Sequence, residues 1–253
     1  MGWADGRHAL ITGGGTGIGA ATARALAREG AHVSLLGRTP GRLQRVAEEI
    51  GGSAYPCDVT DRSSHEHAFS AAREANGPLD LVVLNAGIGD SAPFARTSRD
   101  SWDRIIATNL TALFEGAQLA LPDLLGAENK RLVIVASVAG LRGAAYAAPY
   151  AASKHGAIGL MRSLALEFAR TDLTVNAVCP AFVDTPMADE SAASIARVSR
   201  RSEADARASL AALNANGRFV SAEEVAHAIL YLCHPDACSV TGACVTVDGG
   251  TTA

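Results

Sequence analysis

Short apolar runs rich in Val, Leu and Ile recur along the chain at His8–Thr12, His32–Leu36, Leu79–Leu84, Arg131–Ala136, Leu173–Cys179 and Ala243–Val247. Several are nearly continuous rather than alternating, the pattern of strands covered on both faces. Between them, Ile18–Arg28, Arg42–Ile50, Ser63–Glu74, Trp102–Leu121, Tyr150–Arg170 and Ala222–Leu232 carry apolar residues at three- and four-residue spacing, which predicts helices. Such alternation predicts an α/β fold, a doubly wound parallel sheet of about seven strands with right-handed crossovers and helices on both faces. No repeat or low-complexity linker interrupts it, so residues 1–253 read as a single domain.

One stretch breaks the rhythm. Between the strand ending near Cys179 and the helix opening near Ser221 lie about forty residues without a strand pattern, and an excursion of that length in a compact domain is usually functional. Met187–Leu213 is rich in Ala, Ser and Arg and reads as one or two helices. We expect residues 186–217 to cover the substrate.

Composition narrows the classes. With 22 Lys+Arg against 26 Asp+Glu the net charge is −4, without the basic excess of a nucleic-acid protein. A 48% hydrophobic share and a mean hydropathy of +0.14 exclude disorder. Five cysteines without C-x-x-C spacing read as reduced thiols, and seven histidines form no paired-ligand motif, so no metal is expected. The start has neither a signal-peptide pattern nor a myristoylation site, and no apolar run approaches the ~18 residues of a membrane span; the expectation is a cytoplasmic protein with no membrane or nucleic-acid partner.

The first predicted strand runs into Gly13-Gly14-Gly15-Thr16-Gly17-Ile18-Gly19 and then a helix. Residues without a Cβ permit positive φ and let backbone N–H groups approach an anion, and a helix N-terminus adds partial positive charge. At the first strand-to-helix junction of an alternating chain this is a Rossmann-like dinucleotide cradle. An acid would hold the ribose hydroxyls of NAD at the end of the second strand. Here stand Leu36-Gly37-Arg38-Thr39, and Arg38 offers a guanidinium for a 2′-phosphate, so NADP(H) is preferred with NAD(H) the alternative. An exposed arginine with no such role is the plainer reading of Arg38.

Tyr150-Ala151-Ala152-Ser153-Lys154 opens a helical pattern, and the i, i+4 spacing puts Tyr150 and Lys154 on one face. A phenol with a pKa near ~10 is a poor base, and a nearby ammonium favours the phenolate. Ser137 closes the Val133–Ala136 strand at the edge where such sheets place ligands.

The chain resembles the classical short-chain dehydrogenases/reductases along essentially its whole length. The motifs are Thr12-Gly13-x-x-x-Gly17-Ile18-Gly19, Cys57-Asp58-Val59, Asn85-Ala86-Gly87, Asn109, Ser137, Tyr150-x-x-x-Lys154, Asn176-x-x-x-Pro180, Thr185 and Asp248-Gly249-Gly250. Leu84 stands where a second Asn often precedes Asn-Ala-Gly, and Ala181 where Gly usually follows Pro. The resemblance implies that Tyr150 is the general acid in ketone reduction and the base in alcohol oxidation. Lys154 would lower its pKa and bind the nicotinamide ribose, Ser137 would bond the substrate oxygen, and Asn109 would help hold a relay water. Asp58 and Val59 would contact the adenine, Asn85, Ala86 and Gly87 would line the cofactor channel, Thr185 would reach the carboxamide, and Pro180 and Val183 would flank it. It also implies a homotetramer through the Tyr150 helix and the long helix before it.

For the substrate, Leu141, Tyr146, Phe182 and Met187 suggest an apolar lining that suits a neutral ketone better than a sugar. Arg142, Arg200 and Arg201 could meet the phosphates of a coenzyme A or acyl-carrier arm, which with the resemblance to 3-oxoacyl-thioester reductases and 3-hydroxyacyl-CoA dehydrogenases suggests a 3-oxoacyl or 3-hydroxyacyl thioester. The alternatives are a cyclic or aromatic ketone reduced with NAD(H), a nucleotide-sugar enzyme, for which the carboxy-terminal region is small, and a non-catalytic nucleotide-binding regulator.

Overall fold

The computed structural model describes residues 2–126 and 128–253; Met1 and Ala127 lie outside it. Among the described residues seven parallel strands form one sheet: β1 His8–Thr12, β2 His32–Gly37, β3 Ser53–Pro56, β4 Leu81–Leu84, β5 Arg131–Val135, β6 Thr174–Pro180 and β7 Cys244–Val247. Their order is β3-β2-β1-β4-β5-β6-β7, so the direction of winding reverses between β1 and β4, where such sheets open a crevice for ligands.

Strand residues alternate between two apolar layers. Leu10, Val82, Leu132, Ile134 and Ala177 pack against α3 (Arg62–Asn76), α5 (Ala112–Leu124) and α6 (Ala148–Glu167). Ile11, Leu35, Val83, Val133 and Val178 pack against α1 (Gly17–Arg28), α2 (Pro40–Ile50) and α9 (Ala222–Cys233). Both faces are covered, which explains the near-continuous apolar runs. Two helix starts are capped locally by conspicuous motifs: the Asp61 carboxylate accepts from the Ser63 and Ser64 N–H groups, and Ser221 and Glu224 form a reciprocal capping box.

The structure departs from the sequence reading in two places. The apolar runs left β3 unmarked, because Ser53–Pro56 is a short edge strand, half-buried and ending in proline. The single helix expected over Trp102–Leu121 is three pieces: α4 (Arg99–Ile106), a π-turn over Ala107–Thr111, and α5. A π-turn inserts extra backbone without changing the apolar spacing much, and such turns concentrate at functional sites.

Residues 186–217 hold α7 (Pro186–Ser199) and α8 (Glu203–Ala211), packed together over Ala192, Ala196, Ala206 and Leu210. Arg207 bridges Asp184 and Asp189 and stacks its guanidinium 4.7 Å from the Phe219 ring centre, fastening α8 to the start of α7. Among the described residues no helix is long and apolar enough to cross a membrane.

Candidate active site

The glycine loop follows β1. Gly13 and Gly17 have φ of +68° and +51°, and a Cβ at Gly17 would meet the Thr185 methyl at 2.9 Å. Both positions therefore need glycine. Thr16 begins α1 in an extended conformation without a side-chain cap, and the first turn holds no acid. The unpaired N–H groups and positive dipole end of α1 face the same loop, which fits a pyrophosphate. Ile18 packs its side chain onto the α1 layer, and Gly15 lies against Arg42 and Leu43.

The loop is bolted to the next strand. The Thr12 hydroxyl accepts from the Asn85 and Ala86 N–H groups at 3.0 Å each, and the Asn85 amide donates to the Thr12 and Gly13 carbonyls at 2.9 and 3.2 Å. Asn85 thus braces the glycine loop. A Cβ at Gly87 would lie 3.4 Å from Asn109 Oδ1 and 3.7 Å from Lys154 Nζ, so Gly87 lies beside both of those side chains. On the far side, Thr185 opens α7, and Val183 pairs with Val220 beside it. At the other end Arg38 and Thr39 are exposed, and the Asp58 carboxyl is held below its usual range, with the Arg38 charge a minor contributor. The larger cause of that lowering is the hydrogen bonding of Asp58 to the Thr60 N–H and hydroxyl. Val59 is buried behind Asp58.

Asn109 sits in the π-turn, 1% exposed. Its Oδ1 accepts from the Ile88 N–H at 2.9 Å, and its Nδ2 donates to the Ile88 carbonyl at 3.0 Å and to Ser153 Oγ at 3.1 Å. Ser153 in turn donates to the Tyr150 carbonyl at 2.7 Å. This chain of bonds fixes the first turn of α6 against the loop after β4. Ser153 lies inside the Tyr-x-x-x-Lys motif, but the partner that gives it this role, Asn109, is distant in the chain.

Lys154, buried, donates from Nζ to the Val135 carbonyl at 2.9 Å, and Nζ lies 5.7 Å from the Tyr150 ring centre. Ser137 follows β5, with its hydroxyl accepting from the Ala139 N–H at 3.1 Å and lying 3.4 Å from the Pro180 carbonyl, to which it donates. Burial pushes the Tyr150 phenol above its ordinary pKa, while hydrogen bonding with Ser137 pulls it back. Burial brings the Lys154 ammonium down to about 8. The direction for Tyr150 is thus upward, where the spacing alone suggests a phenol made more acidic by Lys154. Desolvation of the phenolate is the largest cause of that rise.

The rim is apolar. Tyr146, with φ of +63°, is exposed, and its carbonyl accepts from the Ala92 N–H at 2.8 Å. A Cβ at Gly89 would touch Met187 Sδ at 3.5 Å, bringing the start of α7 against the loop after β4. Phe182 is held by Asn214, whose amide accepts from the Phe182 N–H and donates to its carbonyl. Nothing in the sequence pattern singled out Asn214, buried among loops. Arg142, Arg200 and Arg201 are exposed, whereas Arg207 is engaged with its two aspartates. Among the described residues no cluster of side chains could hold a metal ion, and every cysteine is free.

The arrangement joins a dinucleotide cradle to a phenol, an ammonium and a hydroxyl at the carboxyl ends of β4, β5 and β6. A family described as enoyl-(acyl carrier protein) reductase matches residues 13–252. A protein of Streptomyces violaceoruber, named as a ketoacyl reductase of the granaticin polyketide synthase, is 39% identical across 96% of this chain and 92% of its own. The 3-oxoacyl-[acyl-carrier-protein] reductase of Thermotoga maritima is 35% identical across 97% and 98%. Among solved structures, a variant of the actinorhodin polyketide ketoreductase with NADPH superposes with a TM-score of 0.93 at 35% identity, covering 99% of both chains. The chain belongs to the short-chain dehydrogenase/reductase family of NAD(P)-dependent oxidoreductases.

Proposed function

We propose that this protein reduces a ketone to a secondary alcohol with NADPH, and catalyses the reverse oxidation, with a 3-oxoacyl thioester as the substrate class. The observation that carries the reading is the convergence of Gly87, Asn109 and Lys154 at the point where the cradle meets Tyr150 and Ser137. When bound, the nicotinamide supplies or accepts the hydride. The chain's own residues manage the oxygen and its proton. Tyr150 donates a proton to the carbonyl oxygen in reduction and takes it from the alcohol in oxidation, and Ser137 hydrogen-bonds that oxygen as charge develops. Lys154 holds the nicotinamide ribose and favours the phenolate once the pocket is filled. Asn109 keeps the π-turn and α6 in register and helps to hold a relay water.

The cradle residues Gly13, Gly15, Thr16, Gly17, Ile18 and Gly19 take the pyrophosphate. Arg38 and Thr39 take the 2′-phosphate, which supports NADP(H) over NAD(H). Asp58 and Val59 flank the adenine, Asn85, Ala86 and Gly87 line the channel, and Pro180, Val183 and Thr185 hold the nicotinamide end. Residues 186–217 cover the substrate, consistent with Met187 resting near Gly89. The names of the granaticin and Thermotoga relatives support the acyl thioester. The apolar rim of Tyr146, Phe182 and Met187 favours a second reading, a cyclic ketone without a thioester; levodione reductase superposes with a TM-score of 0.91 at 31% identity over 97% of each chain.

We place the protein in the cytoplasm as a homotetramer, with Trp102, Phe114 and Leu166 exposed on α4, α5 and α6 as candidate contact residues. A panel of 3-oxoacyl-CoA thioesters and cyclic and steroid ketones, followed by loss of NADPH absorbance, tests the substrate. Turnover confined to ketones without a thioester overturns the first reading in favour of the second.

A further inference from the structure

His65 lies on the inward face of α3 beside Ala68, Phe69 and Ala72 and is fully buried. Neither ring nitrogen has a hydrogen-bond partner among the described residues. Native proteins rarely leave a buried polar side chain in that state. Burial brings the imidazole to about 4, so at neutral pH the ring is uncharged, with one nitrogen a donor and the other an acceptor. Phe69 meets the ring edge to face with centroids 5.2 Å apart, and its π-face can receive at most the N–H. The acceptor nitrogen still needs a donor.

A cavity of about 10 Å³ lies against the ring, the room in which the centre of one water fits. Its wall includes Thr12, Val59, Ala86 and Thr108. Thr12 Oγ1 already accepts two backbone N–H groups, from Asn85 and Ala86, so its hydroxyl hydrogen points elsewhere. Thr12 is 3% exposed, so bulk water is not at hand. Gly116 on α5 leaves room for the ring: a Cβ there would stand 3.2 Å from His65 Cε1.

We infer that one ordered water occupies this cavity and links His65 to the Thr12 hydroxyl, with Thr108 as a further partner, making His65 a positioning residue for the cofactor channel. The water receives the Thr12 hydroxyl hydrogen and donates to the unprotonated imidazole nitrogen. It thereby holds Thr12 in the rotamer that binds the Asn85 and Ala86 N–H groups. The link to the channel rests on the cofactor role proposed above; the water itself does not.

Two experiments separate these parts. A crystal structure of the full chain that resolves ordered solvent should show a peak about 2.7–3.2 Å from a His65 nitrogen and from Thr12 Oγ1. An empty cavity overturns the inference. In solution, NADPH titration by fluorescence should show a Kd raised about fivefold in His65→Leu, the size of one ordinary hydrogen bond. Turnover at saturating NADPH should stay within about twofold, and His65→Gln, whose amide can reach the same water, should restore most of the affinity. Unchanged affinity in a folded His65→Leu overturns the positioning role. Failure of the parent protein to bind NADPH instead overturns the cofactor reading, while the solvent peak still decides the water.

Discussion

Lys154 stands one helical turn from Tyr150, with Nζ 5.7 Å from the ring centre, and its ammonium donates to the Val135 carbonyl at 2.9 Å. That bond draws the ammonium toward the end of β5 and positions it between strand and phenol. Substituting Lys154 with Met keeps the stem and removes the charge. Activity should fall at least about a hundredfold at pH 7, with partial recovery as pH rises toward the phenol's own range. The pH profile of kcat/KM checks this; a profile of unchanged shape would separate Lys154 from the proton transfer.

Asn109 joins Ile88 to Ser153 from a buried position. Asn109→Ala leaves those groups unpaired and should lower stability by about 2–4 kcal/mol, since each orphaned buried group costs on the order of 1–3 kcal/mol. Urea unfolding measures it through the midpoint at constant slope. A midpoint unchanged from the parent contradicts the brace.

Tyr146 holds φ of +63° without being glycine. A left-handed conformation costs a side-chain-bearing residue about 1–2 kcal/mol, and glycine gives part of that back through its freer unfolded chain. Tyr146→Gly should therefore raise stability by about 0.5–1 kcal/mol, while Tyr146→Ala should not. Thermal unfolding of the two variants side by side distinguishes them, and equal melting temperatures would deny the strain.

Arg38 faces solvent near Asp58. Arg38→Ala should weaken NADPH binding by about tenfold and leave NADH nearly unchanged, because only NADPH offers a 2′-phosphate for a charge-assisted bond. Titrations with both cofactors at one salt concentration check it. Equal losses for both would remove Arg38 from phosphate recognition.

Burial above all makes His65 bind its proton more weakly folded than unfolded, at about 4 against an ordinary 6.5, with Arg62 on α3 further disfavouring the charge and Glu66 favouring it. The unfolded chain takes up the proton first, so stability is full above about pH 6.5 and declines as pH falls toward 4. The loss should be roughly 2–3 kcal/mol, and His65→Leu should remove that part of the slope. Denaturant midpoints across that window give the measurement; identical slopes would exclude His65 as a source.

The sheet and its helices were legible because strands buried on both faces write continuous apolar runs, and the cradle because its glycines sit at the first strand-to-helix junction. Tyr150 and Lys154 share a face by spacing alone. What escaped depends on partners far away in the chain. The π-turn at Asn109 adds backbone without disturbing the apolar period, and β3 is half-exposed. Ser153, Asn214 and His65 look like ordinary polar residues until the fold brings Asn109, Phe182 and the Thr12 cavity to them. The setting of the phenol was not legible for a related reason: spacing shows which charge is near, but not how far burial raises the phenol.

The direct test is Tyr150→Phe, which removes one oxygen and keeps the ring. The account predicts NADPH binding close to the parent's and ketone reduction reduced at least about a hundredfold. Reduction at a rate near the parent's, with cofactor bound as before, would mean that another group delivers the proton.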